Sequence, residues 1–100
     1  MKSFNEKCYS LLRKVPKGKV TTYGELAKAV GSPKAARAVD NAMNKNPYAP
    51  KVPCHRVVGS DGSMTGFASG IKDKIKMLEE EGIKVENGKI NLEKYLYKFN

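Results

Sequence analysis

The chain has 100 residues, with 19 Lys and Arg against 10 Asp and Glu, a formal net charge of +9. That length holds one domain with a thin core and little room for a large internal cavity. No apolar run approaches the ~20 residues of a membrane span, and Met1-Lys2-Ser3 leads straight into an amphipathic pattern rather than a signal-peptide core. A cytoplasmic or nucleoid-associated protein is therefore expected, not a secreted one. Two Cys and one His are too few for a disulfide scaffold or a structural zinc site.

The charge is uneven. Residues 1–70 carry 12 basic and 4 acidic side chains, and residues 71–100 carry 7 and 6. Such a field attracts nucleic acid or an anionic membrane, although it also serves plain solubility. Only Arg13, Arg37 and Arg56 are Arg; the other 16 cations are Lys.

Ser3 and Glu6 read as a capping box that opens a first helix. Phe4, Cys8, Leu11, Leu12 and Val15 then form one apolar face, which Pro16 and Gly18 end. Lys19-Val20-Thr21 suits a short extended piece. Thr22 and Glu25 form a second capping box, Leu26, Ala27 and Val30 the buried stripe, and Gly31 the stop. Ser32 as N-cap and Pro33 at the first position would open a third helix, with Ala35, Ala36, Ala38, Val39, Ala42 and Met43 on it. Two short helices across a Gly turn read as a helix-turn-helix, a pattern shared with ordinary helical hairpins.

Pro47, Pro50 and Pro53 make a stiff irregular loop ahead of Cys54. Residues 59–70 are rich in Gly and Ser. Ile71, Ile75 and Leu78 mark a fourth helix that ends at Gly82. Asn87-Gly88 is a hairpin signal. Leu92, Tyr95, Leu96 and Phe99 suggest a terminal helix packed on the body.

Cys54 and His55 draw attention next. An ordinary thiol, with a pKa of about 8.5, is only a few per cent thiolate at pH 7. A nucleophilic Cys needs a base or positive surroundings, and His55 and Arg56 stand beside this one. On the bare dipeptide alone, a half-buried structural Cys next to a solvent His is the better fit. Cys8, on the apolar helix face, reads as a small hydrophobe.

Pro53-Cys54-His55-Arg56-Val57 resembles the active-site signature of O6-alkylguanine-DNA alkyltransferases, the methylated-DNA–protein-cysteine methyltransferases. The segment Pro16-x-Gly18-x-Val20-x-Thr22-Tyr23-Gly24 resembles the approach to that family's first helix-turn-helix helix. Arg37-Ala38-Val39 resembles its recognition helix. Asn46-Pro47, the stretch 59–70 and Glu81-Gly82 follow in order. The resemblance covers roughly residues 4–85.

It implies a mainly α, small helix-turn-helix (winged-helix-like) domain with a short C-terminal hairpin. Residues 1–100 would form one catalytic and DNA-binding domain, with 83–100 a structural extension. The partner implied is double-stranded DNA containing O6-alkylguanine, bound in the minor groove by a monomer. DNA-binding residues would be Thr22, Tyr23, Lys34, Ala35, Ala36 and Arg37. Arg37 would fill the stack vacated by the flipped nucleotide. Glu81 would orient His55, and His55 would deprotonate Cys54 through a water. Tyr23 would protonate guanine N3, and Asn46 would brace the Cys loop. The pocket would comprise Met43, Arg56, Val57, Phe67 and Ala68. Cys54 would keep the alkyl group, so each chain would act once.

Some positions depart from the family pattern. Phe67 stands where Tyr is frequent, Asp40 where Gly is usual, and Tyr48-Ala49-Pro50-Lys51 is less apolar than the family loop. Two alternatives remain at this point. One is a non-catalytic alkyltransferase-like lesion binder, a group that lacks the nucleophilic Cys. The other is a helix-turn-helix DNA-binding protein without chemistry, which leaves Pro53 to Val57 unexplained.

Overall fold

The computed structural model describes residues 3–45, 52–64 and 70–99. Its elements are α1 (Phe4–Leu12), β1 (Thr21–Thr22), α2 (Tyr23–Ala29), α3 (Ala36–Asn44), a 3-10 turn (Cys54–Arg56), β2 (Val57–Val58), α4 (Ile71–Glu80), β3 (Val85–Glu86), β4 (Lys89–Ile90) and α5 (Leu92–Tyr95). The fold is mainly helical, as the residue pattern predicts.

Local chemistry explains most boundaries. Ser3 Oγ accepts from the Glu6 amide at 3.2 Å, and Thr22 Oγ1 from the Glu25 amide at 3.0 Å. Each N-cap satisfies a donor that the first turn leaves open. α1 stops a turn before its apolar pattern does. Lys14 and Val15 already donate to Leu11 and Leu12, three residues back, while Val15 stays buried. At the end of α2, Ser32 N–H bonds to Ala27 O and Gly31 N–H to Lys28 O, a Schellman closure.

That closure corrects the predicted start of α3. Ser32 finishes α2 with its amide and opens a separate turn with its carbonyl. The chain needs a further turn, closed by Ala35 N–H to Ser32 O at 2.9 Å, before a helix can begin. α3 therefore starts at Ala36, with Ala35 as N-cap and no side-chain cap bond.

Two apolar clusters share the interior. The first joins α1, α2, α3 and the start of β2 through Cys8, Tyr9, Leu12, Val15, Leu26, Ala27, Val39, Ala42, Met43, Val52 and Val57. Tyr9 Oη donates to Ala42 O at 2.8 Å and pins α1 to the end of α3. The second cluster is Val20, Val58, Leu78, Ile83 and Ile90. Between the clusters lies a parallel pair, Thr21 against Val57 and Thr22 against Val58.

The C-terminal segment is woven into this frame. Asn87 (φ 52°) and Gly88 (φ 73°) form the predicted tight turn between β3 and β4. Ile90 N–H bonds to Gly62 O at 2.9 Å, and Met64 N–H to Gly88 O at 3.0 Å. A Cβ on Gly62 would collide with the Ile90 carbonyl, so this close approach requires Gly. The terminal helix is shorter than its apolar periodicity suggests. α5 ends at Tyr95, and the chain then runs extended beside β1, with Tyr97 N–H donating to Val20 O at 2.7 Å. Tyr97 and Phe99 pack on the first cluster with their rings edge to face, 5.3 Å apart. The extended path arises because Val20 offers free backbone groups that a continuing helix could not use.

Ile90 is 3% exposed and links the hairpin to the second cluster. Replacing it by Ala is expected to cost about 2–5 kcal/mol, a fall in Tm of roughly 10 °C or more. Calorimetry or thermal circular dichroism tests this, and an unchanged Tm would show that the hairpin does not hold the body.

Candidate functional site

Cys54 opens a single 3-10 turn, Cys54–Arg56, directly after Pro53. Cys54 N–H bonds to Val52 O at 2.8 Å, Arg56 N–H to Pro53 O at 2.9 Å, and Val57 N–H to Cys54 O. The turn separates the side chains by role. Cys54 is half-buried against the first cluster, whereas His55 is 3% exposed. Cys8, the other thiol, is fully buried, and that burial pushes it up to about 11.

His55 meets a carboxylate from the far end of α4. Its Nε2 lies 3.0 Å from Glu81 Oε2. Glu81 is the C-cap of α4, fixed there by a second Schellman closure in which Ile83 N–H bonds to Leu78 O and Gly82 N–H to Glu79 O. Gly82, at φ 88°, supplies the left-handed step. Arg56 grips the same carboxylate with two prongs, Nε to Oε1 at 2.9 Å and Nη2 to Oε2 at 2.6 Å. Its third nitrogen, Nη1, donates to Val15 O at 2.9 Å. Such a fork is the strongest geometry open to this ion pair.

The electrostatics follow. Burial opposes the charge on Glu81, but hydrogen bonds from Arg56 and then His55 outweigh it and hold the carboxyl below its usual range. Burial pushes His55 below its ordinary value, and Glu81 only partly restores it. A neutral imidazole beside an ionised carboxylate must donate from Nε2. Nδ1 then keeps the lone pair and is the basic nitrogen. The turn thus carries a half-buried thiol and, in the next residue, an imidazole held by Glu81.

Lys74 is the residue that sequence reasoning missed. It is fully buried, and its Nζ donates to Val57 O at 2.6 Å. Burial pushes its ammonium down to about 8 from an ordinary 10.5, while Cys54 and Asp40 favour the charged form. The apolar reading of α4 took Ile71, Ile75 and Leu78 as its face; Leu78 is fully buried, but Ile71 is 47% exposed. The inward face runs through Lys74, Leu78 and Glu81, at i, i+4 and i+7. The signal was the seven-residue spacing between Lys74 and Glu81.

The other predicted residues divide. Arg37 and Lys34 are exposed, Ala35 and Ala36 half-buried, all at the start of α3. Tyr23, the first residue of α2, is half-buried on the first cluster. Thr22 is 5% exposed with its hydroxyl engaged as the α2 cap, so capping accounts for that side chain rather than a DNA contact. Met43 and Val57 are core residues of the cluster beneath Cys54. Arg56 has its guanidinium bonded to Glu81 and the Val15 carbonyl. Asn46, Phe67 and Ala68 lie outside the described residues. Among the described residues no group of three His, Cys, Asp or Glu could hold a metal, and no helix is long and apolar enough to cross a membrane.

A helix-turn-helix pair joined to a cysteine turn backed by His and Glu defines a class of small DNA-handling domain. Residues 3–83 match the DNA-binding domain of 6-O-methylguanine DNA methyltransferase, and the chain belongs to that family. It is 49% identical over 79 residues to the methylated-DNA–protein-cysteine methyltransferase of Methanosarcina acetivorans, a match covering 79% of this chain and 51% of that protein. The chain thus spans about half the length of such a relative. Among solved structures it resembles S. pombe Atl1 in complex with damaged DNA containing O6-carboxymethylguanine, with TM-score 0.86 and 37% identity over 99% of this chain and 100% of that one. It also resembles Mycobacterium tuberculosis OGT in complex with DNA, with TM-score 0.78 and 43% identity over 82% of this chain and 50% of that one.

Removing Arg56 would leave Glu81 charged and mostly buried. Arg56→Ala is expected to cost about 3–5 kcal/mol at pH 7, read from urea unfolding. Because the folded Glu81 ionises below its unfolded value of 4.5, this contribution is present above that pH and fades as pH falls through the folded value. The deficit should therefore shrink toward pH 3; a deficit that is constant with pH would refute the ion-pair account.

Proposed function

We propose that this chain repairs alkylated DNA by direct transfer. It binds duplex DNA in the minor groove through α2 and α3, turns the damaged guanine out of the stack, and moves its O6-alkyl group to Cys54. The observation that carries this reading is the hydrogen bond of 3.0 Å between His55 and Glu81, directly behind the Cys54 turn. Family membership supports the DNA half of the reading.

The step balances without a cofactor. His55 Nδ1 takes the thiol proton through an intervening water, and Glu81 stabilises the imidazolium that forms. The sulfur attacks the alkyl carbon, the carbon–O6 bond breaks, and its electron pair leaves with guanine. Tyr23 Oη supplies a proton at N3. The family resemblance assigns Asn46 to bracing the Cys54 turn, the Ala68 amide to donating to O6 and Phe67 to an apolar wall of the pocket. The thioether left on Cys54 resists hydrolysis, so one chain removes one lesion. Arg37, exposed at the first turn of α3, fills the gap in the stack. The lysines neutralise phosphates without reading sequence.

One observation favours a second reading. The likeness to Atl1 runs over 99% of this chain, including the C-terminal segment. A lesion binder that holds O6-alkylguanine without transfer would share that outline. Cys54 argues for transfer, and mass decides between the two. Incubation with a duplex carrying one O6-methylguanine should add about 14 Da to one residue, as methyl replaces a proton. The gain should map to Cys54 and vanish in Cys54→Ala. Unmodified protein that still binds the lesion would establish the second reading instead.

Arg37→Ala should slow capture from duplex DNA by at least about tenfold while leaving reaction with free O6-benzylguanine nearly unchanged. Equal losses on both substrates would refute the stack-filling role.

A further inference from the structure

We propose that Arg56 is a positioning residue that sets the strength of the base: it takes the charge of Glu81 for itself, leaves His55 a hydrogen bond rather than a full ion pair, and so keeps the imidazole neutral and able to accept a proton. The inference rests on the reading that His55 is the base of the Cys54 site. The geometry carries it. Three donor nitrogens share the two oxygens of Glu81. Arg56 holds both, Nε to Oε1 at 2.9 Å and Nη2 to Oε2 at 2.6 Å, while His55 Nε2 meets only Oε2, at 3.0 Å. The guanidinium is also anchored from outside the pair, with Nη1 donating to Val15 O at 2.9 Å. None of the three side chains is more than 15% exposed, so little water screens their charges.

A carboxylate alone beside a buried histidine favours the imidazolium. The proton would then rest on the ring, and neither nitrogen could accept another. A guanidinium is charged at every working pH, so it offsets the charge on Glu81 permanently. The hydrogen bond from Nε2 survives this and still aims the ring. Orientation and basicity are thereby separated, with Glu81 supplying the first and Arg56 limiting the second. The charged groups acting on His55 are Glu81 and Lys74 from α4 and Arg56 beside it on the turn. Lys74 works in the same direction as Arg56, and Cys54 is the other titratable residue of the turn.

His55 is the only histidine of the chain, so long-range proton–nitrogen NMR of the imidazole reads its titration and tautomer without ambiguity. The spectra are taken in Cys54→Ala, which removes the neighbouring thiol as a coupled titrating group. With Arg56 in place the ring should be neutral at pH 7, carry its proton on Nε2, and titrate below its ordinary 6.5. Arg56→Gln should raise the midpoint by about one pH unit or more, whereas Arg56→Lys, which keeps the charge, should stay within about half a unit. The double variant Arg56→Gln/Glu81→Gln removes equal and opposite charges and should return the midpoint to within about half a unit of its start. It leaves no unpaired buried charge, so the test stays decisive if Arg56→Gln fails to fold. An imidazolium at pH 7 with Arg56 present would overturn the inference. So would an unmoved midpoint in Arg56→Gln, a Lys variant that titrates like the Gln variant, or a double variant displaced by about a unit. A merely structural Arg56 would lower Tm without moving the midpoints in this order. The two readings fail separately. Methyl transfer from the lesion duplex to the Cys54 protein, with an unmoved midpoint, would sink this inference alone. Midpoints that move as expected, without any adduct of about 14 Da on Cys54, would sink the transfer reading and leave Arg56 in control of His55.

Discussion

One carboxylate organises the candidate site. Glu81 takes two prongs from Arg56 and one hydrogen bond from His55, and Arg56 reaches on to the carbonyl of Val15. Three separate parts of the chain meet there: the segment after α1, the Cys54 turn and the C-terminus of α4. A largely buried carboxylate is tolerable only because its oxygens are occupied by strong donors. That requirement fixes the tautomer of His55 and so determines which of its nitrogens is basic. Chemistry and architecture are one constraint here, since the donors that make the charge acceptable also aim the imidazole.

A small domain has few ways to hold such a cluster steady. This one divides its interior into two apolar clusters with a two-residue parallel pair between them. The Cys54 turn runs into one strand of that pair and α2 starts from the other. The cysteine and the helix-turn-helix therefore share a rigid reference. The C-terminal segment braces both flanks, bonding to Val20 beside the pair and to Gly62 and Met64 after it. Its contacts are backbone hydrogen bonds, buried aliphatic area and the Tyr97 and Phe99 rings on the first cluster.

Much of this was legible in the residues. Ser3, Thr22, Gly31, Gly82 and Asn87-Gly88 act through their nearest neighbours, so their caps and turns follow from local rules. Local rules also misled. Ser32 carries a good capping signal, but its carbonyl closes a separate turn with the Ala35 amide and α3 starts only at Ala36. Leu96 and Phe99 extend a helical period, yet the open backbone of Val20 draws the chain into an extended path. Ile71 belongs to the apolar pattern of α4 but faces out, and Lys74 takes the inward position.

The sequence by itself determined the class of the chain, because Pro53 to Val57, Tyr23, Arg37 and Glu81 are residue types that carry chemistry in a recognisable order. It also determined the helix ends, where one side chain answers one amide. Only the tertiary structure decided which groups share a charge. That Arg56 serves Glu81, and that Lys74 lies buried under the Cys54 turn, depends on residues 17 to 41 positions apart being packed together. Electrostatic interactions depend on distance in space and on exclusion of water, and a linear sequence records neither.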